Sequence, residues 1–226
     1  MWDTNTSTEY IQTYNFEPGI GWTSLQYYPA GAGGDVMLAM SPKSSGRWQF
    51  EIKSGSWAER TRVGIAPVNV DINQLQKTGL GSSGTRSIGL RRLDEAISQT
   101  GKGIIEVNGD KTYIEKYDDD TIFTFDCNFD SDEVKIYANG SLIHSAKLPE
   151  NRNGKWAIAA SSASGSVLLF THPDHLKYPV RGAKEWVLDA STCSNCATQK
   201  PVLTEEKKIT CPAANVVQGG ELYSVE

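Results

Sequence analysis

Apolar and polar residues alternate most regularly between Thr121 and His144. Phe123, Phe125, Cys127 and Phe129 are separated by Thr124, Asp126 and Asn128, a period of two that puts one set on the buried face of a strand. Val134, Ile136 and Ala138 alternate in the same way with Lys135, Tyr137 and Asn139, which predicts a second half-buried strand. Asp130, Ser131 and Asp132 are turn formers between the two. Asn139-Gly140 tolerates positive φ at both positions and suits a two-residue hairpin, after which Leu142 and Ile143 open a third strand. The result is a three-stranded antiparallel meander, whose apolar face needs a second layer to cover it.

The same pattern continues more weakly elsewhere. Val36 to Met40 predicts a strand, residues 41–46 a turn, and Arg47 to Lys53 a strand pairing back as a hairpin, with Trp48, Phe50 and Ile52 on one face. Ile104 to Tyr117 predicts a strand or hairpin around Asn108-Gly109. Residues 1–35, rich in Thr, Tyr, Gly and Asn, predict one or two short strands joining the main body. Glycines at 79, 81, 84, 89, 101 and 103 mark Val68 to Gly103 as long connections facing outward at one end, with one helical turn at Leu93 to Ile97. Tyr178 to Val180 and Trp186 to Leu188 predict a closing edge strand. The division is 1–35 as joining strands and loops, 36–189 as the sandwich and 190–226 as a mostly irregular extension.

Several of these segments resemble the signature of SPRY domains, which are concanavalin-like sandwiches. The strand ending Phe129-Asp130, its acidic turn, Val134-Lys135-Ile136-Tyr137 and Asn139-Gly140 carry the central part. Arg47-Trp48-Gln49-Phe50-Glu51-Ile52 is similar to the family's "GKWYFEV" strand, Val63-Gly64-Ile65-Ala66 to its "VGIA" strand, and Ser87-Ile88-Gly89-Leu90 to a "SIGY" segment. Gly154 to Ala159 and Ser166 to Phe170 stand where the last two core strands would lie. Trp2-Asp3 resembles the opening of SPRY-like modules in bacteriophage structural proteins. The resemblance implies an all-β antiparallel sandwich of jelly-roll type. Its expected core is Trp48, Phe50, Ile52, Val63, Ile65, Phe123, Phe125, Val134, Ile136, Trp156, Ile158, Leu168 and Phe170.

Length and charge narrow the function classes. The chain has 226 residues and a net charge of −5, with Lys and Arg scattered, which argues against a nucleic-acid surface. No apolar run approaches the roughly 20 residues of a membrane span, and the start lacks the basic and apolar regions of a secretion signal. Of four cysteines, Cys127 reads as a small buried hydrophobe; Cys193, Cys196 and Cys211 lie in the extension.

Candidate chemistry is sparse. Asp126-x-Asn128-x-Asp130 with Asp132 has the opening ligand spacing of a calcium loop. Ser131 and Tyr137 stand where that loop needs a glycine and a bidentate glutamate, so no calcium is assigned. His172-x-x-His175 and Cys193-x-x-Cys196 have the ligand types and spacings of a tetrahedral zinc site that would staple the extension to the sandwich; no other cofactor is expected. There is no carboxylate pair of glycosidase spacing, no Gly-x-Ser-x-Gly elbow and no phosphate loop, so no catalytic residue is assigned. Trp57 and the arginines Arg86, Arg91 and Arg92 are candidates for a binding surface.

These readings, with the resemblance, imply a non-enzymatic structural or recognition module of a virion, from a phage tail, fibre or capsid surface. Its partners would be other virion proteins and a host-surface glycan or receptor, in an oligomeric assembly put together in the host cytoplasm. Two alternatives are a carbohydrate-active enzyme on the same kind of sandwich and a cellular SPRY adaptor that binds a peptide.

Overall fold

The computed structural model describes residues 11–17, 20–25, 35–39, 41–56, 61–92, 102–118, 120–150, 154–162, 165–186, 202–203 and 209–210. Two antiparallel sheets form the body. The larger runs in the order β1 (Ile11–Glu17), β2 (Ile20–Leu25), β13 (Gly165–Phe170), β4 (Arg47–Ser56), β9 (Ile122–Asn128), β10 (Glu133–Ala138) and β11 (Ser141–Lys147). The smaller runs β3 (Asp35–Leu38), β12 (Trp156–Ser162), β5 (Arg62–Pro67), β6 (Ile88–Arg92), β7 (Lys102–Val107) and β8 (Asp110–Lys116). A separate hairpin joins β15 (Val202–Leu203) to β16 (Ile209–Thr210).

The predicted meander is present as β9, β10 and β11. Asn139 and Gly140 at the second hairpin have φ of 46° and 81°, the positive values that a tight hairpin demands and that this residue pair tolerates. Asn108 and Gly109 do the same for β7 and β8, at 48° and 105°. Between the sheets the alternating residues meet as expected. Phe50 stacks on Phe125 at 4.9 Å, and Ile52, Val63, Ile65, Phe123, Val134, Ile136 and Ile158 are fully buried with them. Cys127 joins this core, and burial drives its thiol well above the ordinary value.

Four expectations are corrected. First, β3 and β4 do not form a hairpin: β3 pairs with β12 and β4 with β9 and β13, so residues 41–46 cross between sheets. Alternation identifies a strand's buried face but not its neighbour. Second, Leu168 and Phe170 are only half-buried, while Val167 and Leu169 enter the core. The run Val167-Leu-Leu-Phe170 is apolar throughout, so its own pattern cannot choose a phase; pairing of Leu169 with core residue Ile52 chooses it. Trp48 is likewise half-buried, packed against the core edge.

Third, Val68 to Gly103 is not a purely outward stretch. Residues Ile72–Thr78 form helix α1, capped by Asp71, whose carboxylate accepts from the N–H groups of Asn73 and Gln74. Leu75 and Leu80 are fully buried against Val36, Leu38, Ala66, Ala157 and Ala159, a second small core on the outer face of the smaller sheet. The helical turn expected at 93–97 lies outside the described residues. Fourth, Tyr178 to Val180 and Trp186 are not in strands, while Val187 and Leu188 lie outside the described residues. β14 (Lys184–Glu185) runs parallel to β4 beside Trp48 and Gln49, where β13 has already ended at the level of Glu51. Trp186 then turns into the core, edge-on to Phe50 at 5.5 Å, with its indole N–H donated to the Ser41 carbonyl at 3.0 Å.

Just before β14, the chain crosses the outer face of the larger sheet. Glu51 is fully buried there and accepts from the N–H groups of Lys177 at 2.8 Å and Tyr178 at 2.6 Å. Gln49 accepts from Val180 N–H at 2.6 Å. Two polar residues of β4, facing away from the core, thus supply acceptors for a segment that has no strand partner of its own.

Candidate interaction surface

The acidic run that imitates a calcium loop is used for structure. Arg47 donates two hydrogen bonds to Asp126, at 2.8 and 2.7 Å, which holds its guanidinium above the ordinary value. Asp130 accepts from Gly46 N–H and Asn128 from Asp130 N–H. These contacts seat the β9–β10 turn on the start of β4.

Of the residues proposed for zinc, His172 and His175 sit at either end of a single 3-10 turn, Pro173–His175, with ring centroids 5.7 Å apart. The His172 Nδ1 accepts from Asp174 N–H at 3.4 Å, capping the turn. Cys193 and Cys196 lie outside the described residues, and no group of three or more ligating side chains occurs among the described ones.

The proposed binding residues separate. Trp57 lies outside the described residues, as does the side chain of Arg92. Arg86 is exposed on a loop with φ of 51°, its N–H donated to Asn108 Oδ1 at 3.1 Å. Arg91, on the outer face of β6, belongs to a charged cluster that the sequence does not reveal. At its centre Glu106, 3% exposed, receives Arg62 at 2.5 Å, Arg91 at 3.3 Å and Lys111 at 3.4 Å. Burial pulls the Arg62 guanidinium below its ordinary value, against the opposing pull of Glu106. Arg62 also donates to the Leu80 carbonyl at 2.7 Å and Ser82 Oγ at 3.0 Å, which ties the 79–87 loop to the sheet. Gly89 permits this approach: a Cβ there would meet the Leu80 carbonyl oxygen at 2.5 Å.

The other feature was missed by sequence reasoning altogether. β8 ends the smaller sheet and β11 ends the larger, and the two edges border one groove of about 390 Å³. Tyr113, Ile114 and Glu115 line it from β8, Leu142 and Ile143 from β11, and Tyr117, Phe123 and Ala138 complete the wall. Phe123 is fully buried, with Tyr117 edge-on at 4.7 Å, so the groove reaches the inter-sheet core. Tyr113 is 61% exposed and Leu142 54% exposed at its rims. Large apolar side chains are thus exposed at both rims, above a wall of buried apolar residues. The signal in the sequence is faint: Tyr113-Ile114 and Leu142-Ile143 are apolar pairs in otherwise mostly polar strands, and only the sheet order brings them to the same side.

No family model matches the chain, and no curated protein matches it. Solved structures do share its fold. The SPRY domain of human HERC1 aligns with a TM-score of 0.54 and 13% identity over 75% of this chain and 97% of that one. The TRIM65 PSpry domain aligns with a TM-score of 0.57 and 10% identity, covering 76% and 90%. Stonustoxin aligns at 0.54 and 16% identity over 75% of this chain and 28% of that one. The architecture is therefore an SPRY-like β-sandwich.

Proposed function

We propose that this SPRY-like sandwich is a non-catalytic module that binds a protein partner along the side where β8 and β11 leave their sheets open. The observation that carries the reading is the groove itself, with Tyr113 and Leu142 exposed on its two rims and Phe123 in its wall. Aromatic and aliphatic anchors around a partly desolvated pocket are the usual centre of a protein interface. The non-catalytic part is supported by how the buried acids are used. Glu51 caps backbone N–H groups, Asp126 pairs with Arg47, and Glu106 holds three cations; none is left to act on a substrate.

This reading follows the peptide-binding alternative more closely than the virion module expected from the sequence. The SPRY domains of HERC1 and TRIM65 share the fold, and no described feature is particular to a phage particle. Co-purification with the tagged full chain tests it. A partner captured by the wild type and by Val68→Asp, but lost with Leu142→Asp at unchanged melting temperature, is the expected result. Equal capture by Leu142→Asp would refute the site.

A further inference from the structure

We infer that the partner is an extended segment that adds as a strand to the free edge of β8, presenting an acidic, an apolar and a basic side chain at alternate positions to Lys111, Tyr113 and Glu115. This rests on the binding reading above and specifies the chemistry of its occupant.

Among the described residues β8 pairs only with β7, so one row of its backbone N–H and C=O groups lacks a ladder partner. Such a row is a template for an incoming strand. β8 is also the more regular of the two edges at the groove. Its register with β7 is unbroken from Asp110 to Ile114 and shifts only past Glu115, before the last pair at Lys116, whereas the pairing of β11 with β10 shifts at Ile143, inside the strand. A shift of that kind bends an edge and spoils it as a template.

The side chains along β8 state what the template prefers. Lys111, Tyr113 and Glu115 are all exposed; Lys111 and Tyr113 stand at alternate positions on one face, about 6.8 Å apart, and Glu115 follows across the buried Ile114, at the register shift that ends the pairing with β7. Lys111 belongs to a cluster with surplus positive charge. It shares Oε1 of Glu106 with Arg91, whose Nε has no hydrogen-bond partner, while Arg62 occupies Oε2. Among the described residues one carboxylate therefore faces three cations. At the far end Glu115 makes no ion pair among the described residues. An edge of a single sign repels any added strand, whereas opposite signs on the two sides of a tyrosine select one. Directly opposed residues on neighbouring strands favour opposite charges and aromatic-aliphatic pairs, and disfavour like charges.

The test is selection of a random dodecapeptide display library on the immobilised full chain, beside the charge-swapped K111E/E115K protein. Enriched peptides are expected to carry an acid and a base four positions apart with an apolar residue midway. They should bind the swapped protein about tenfold more weakly, since two favourable cross-strand pairs become unfavourable, and the swapped protein should enrich the reverse charge order. In the complex, amide exchange should slow within residues 110–116. Peptides without the charge pattern, indifference to the swap, or protection absent from 110–116 would each overturn the inference. If peptides bind, are lost with Leu142→Asp and ignore the swap, strand addition to β8 fails while the groove remains a binding site. If nothing is enriched on either protein, the binding reading fails as well.

Discussion

At the residue scale, two side chains carry checkable consequences. Phe125 is fully buried in the main core and stacked on its cross-strand partner Phe50 at 4.9 Å, so Phe125→Ala should cost about 3 to 5 kcal/mol in chemical denaturation. A cost within the surface range of about 0.5 kcal/mol would place the ring outside the core. His144 on β11 has its imidazole pushed below the ordinary value by burial. Its folded form therefore resists protonation while the unfolded chain takes up a proton near pH 6.5. The unfolded state binds more protons as pH falls through that value, so stability is present above it and declines below it. His144→Gln should flatten the fall in melting temperature between about pH 7 and pH 5; an unchanged slope would mean that His144 does not contribute to it. The residue-level core was largely readable in advance, because strict alternation in β9, β10 and the start of β4 assigns a face to each side chain. It failed at Leu168 and Phe170, where an unbroken apolar run carries no phase.

At the element scale, the segment after β13 depends on acceptors supplied from β4. Glu51→Ala should leave the N–H groups of Lys177 and Tyr178 without their partner. The expected loss is about 1 to 3 kcal/mol, together with faster amide exchange at Lys177, Tyr178 and Val180; unchanged exchange there would show that the segment is held by other contacts. Asp71→Ala removes the cap of α1 and should cost about 1 kcal/mol. That helix was open to prediction, since Asp71 and Gly79 bracket Ile72–Thr78 with a capping residue and a helix-ending glycine. The abundance of glycine around it pointed to a loop instead. The mistaken β3–β4 hairpin has a different cause: both strands were found, but local pattern is silent on which sheet a strand joins, and Ser41-Pro42-Lys43-Ser44-Ser45-Gly46 serves a crossover as well as a turn.

At the scale of the whole molecule, the surface divides by how its groups are used. On the outer face of the larger sheet residues 177–180 cover part of β4, and part of the smaller sheet's outer face is covered by α1 and the 79–87 loop. The side bounded by β8 and β11 retains unpaired strand edges among the described residues. This site was invisible in the sequence because its two rims are about thirty residues apart and meet only through the order of strands in two sheets. Of the arginines singled out beforehand, Arg91 sits in a charged cluster beside that edge with Glu106 and Lys111, which no motif marks. A polysaccharide and ester panel should show no turnover, given that the buried acids are committed to structural partners; hydrolysis abolished by one Asp or Glu substitution would contradict the non-catalytic reading. The most direct measurement places a photo-crosslinking amino acid at Leu142 in one protein and at Val68, an exposed apolar position outside the groove, in another, each irradiated with the captured partner. Crosslinking from position 142 and none from position 68 is the predicted result, and crosslinking from 68 with none from 142 would show that the partner binds elsewhere.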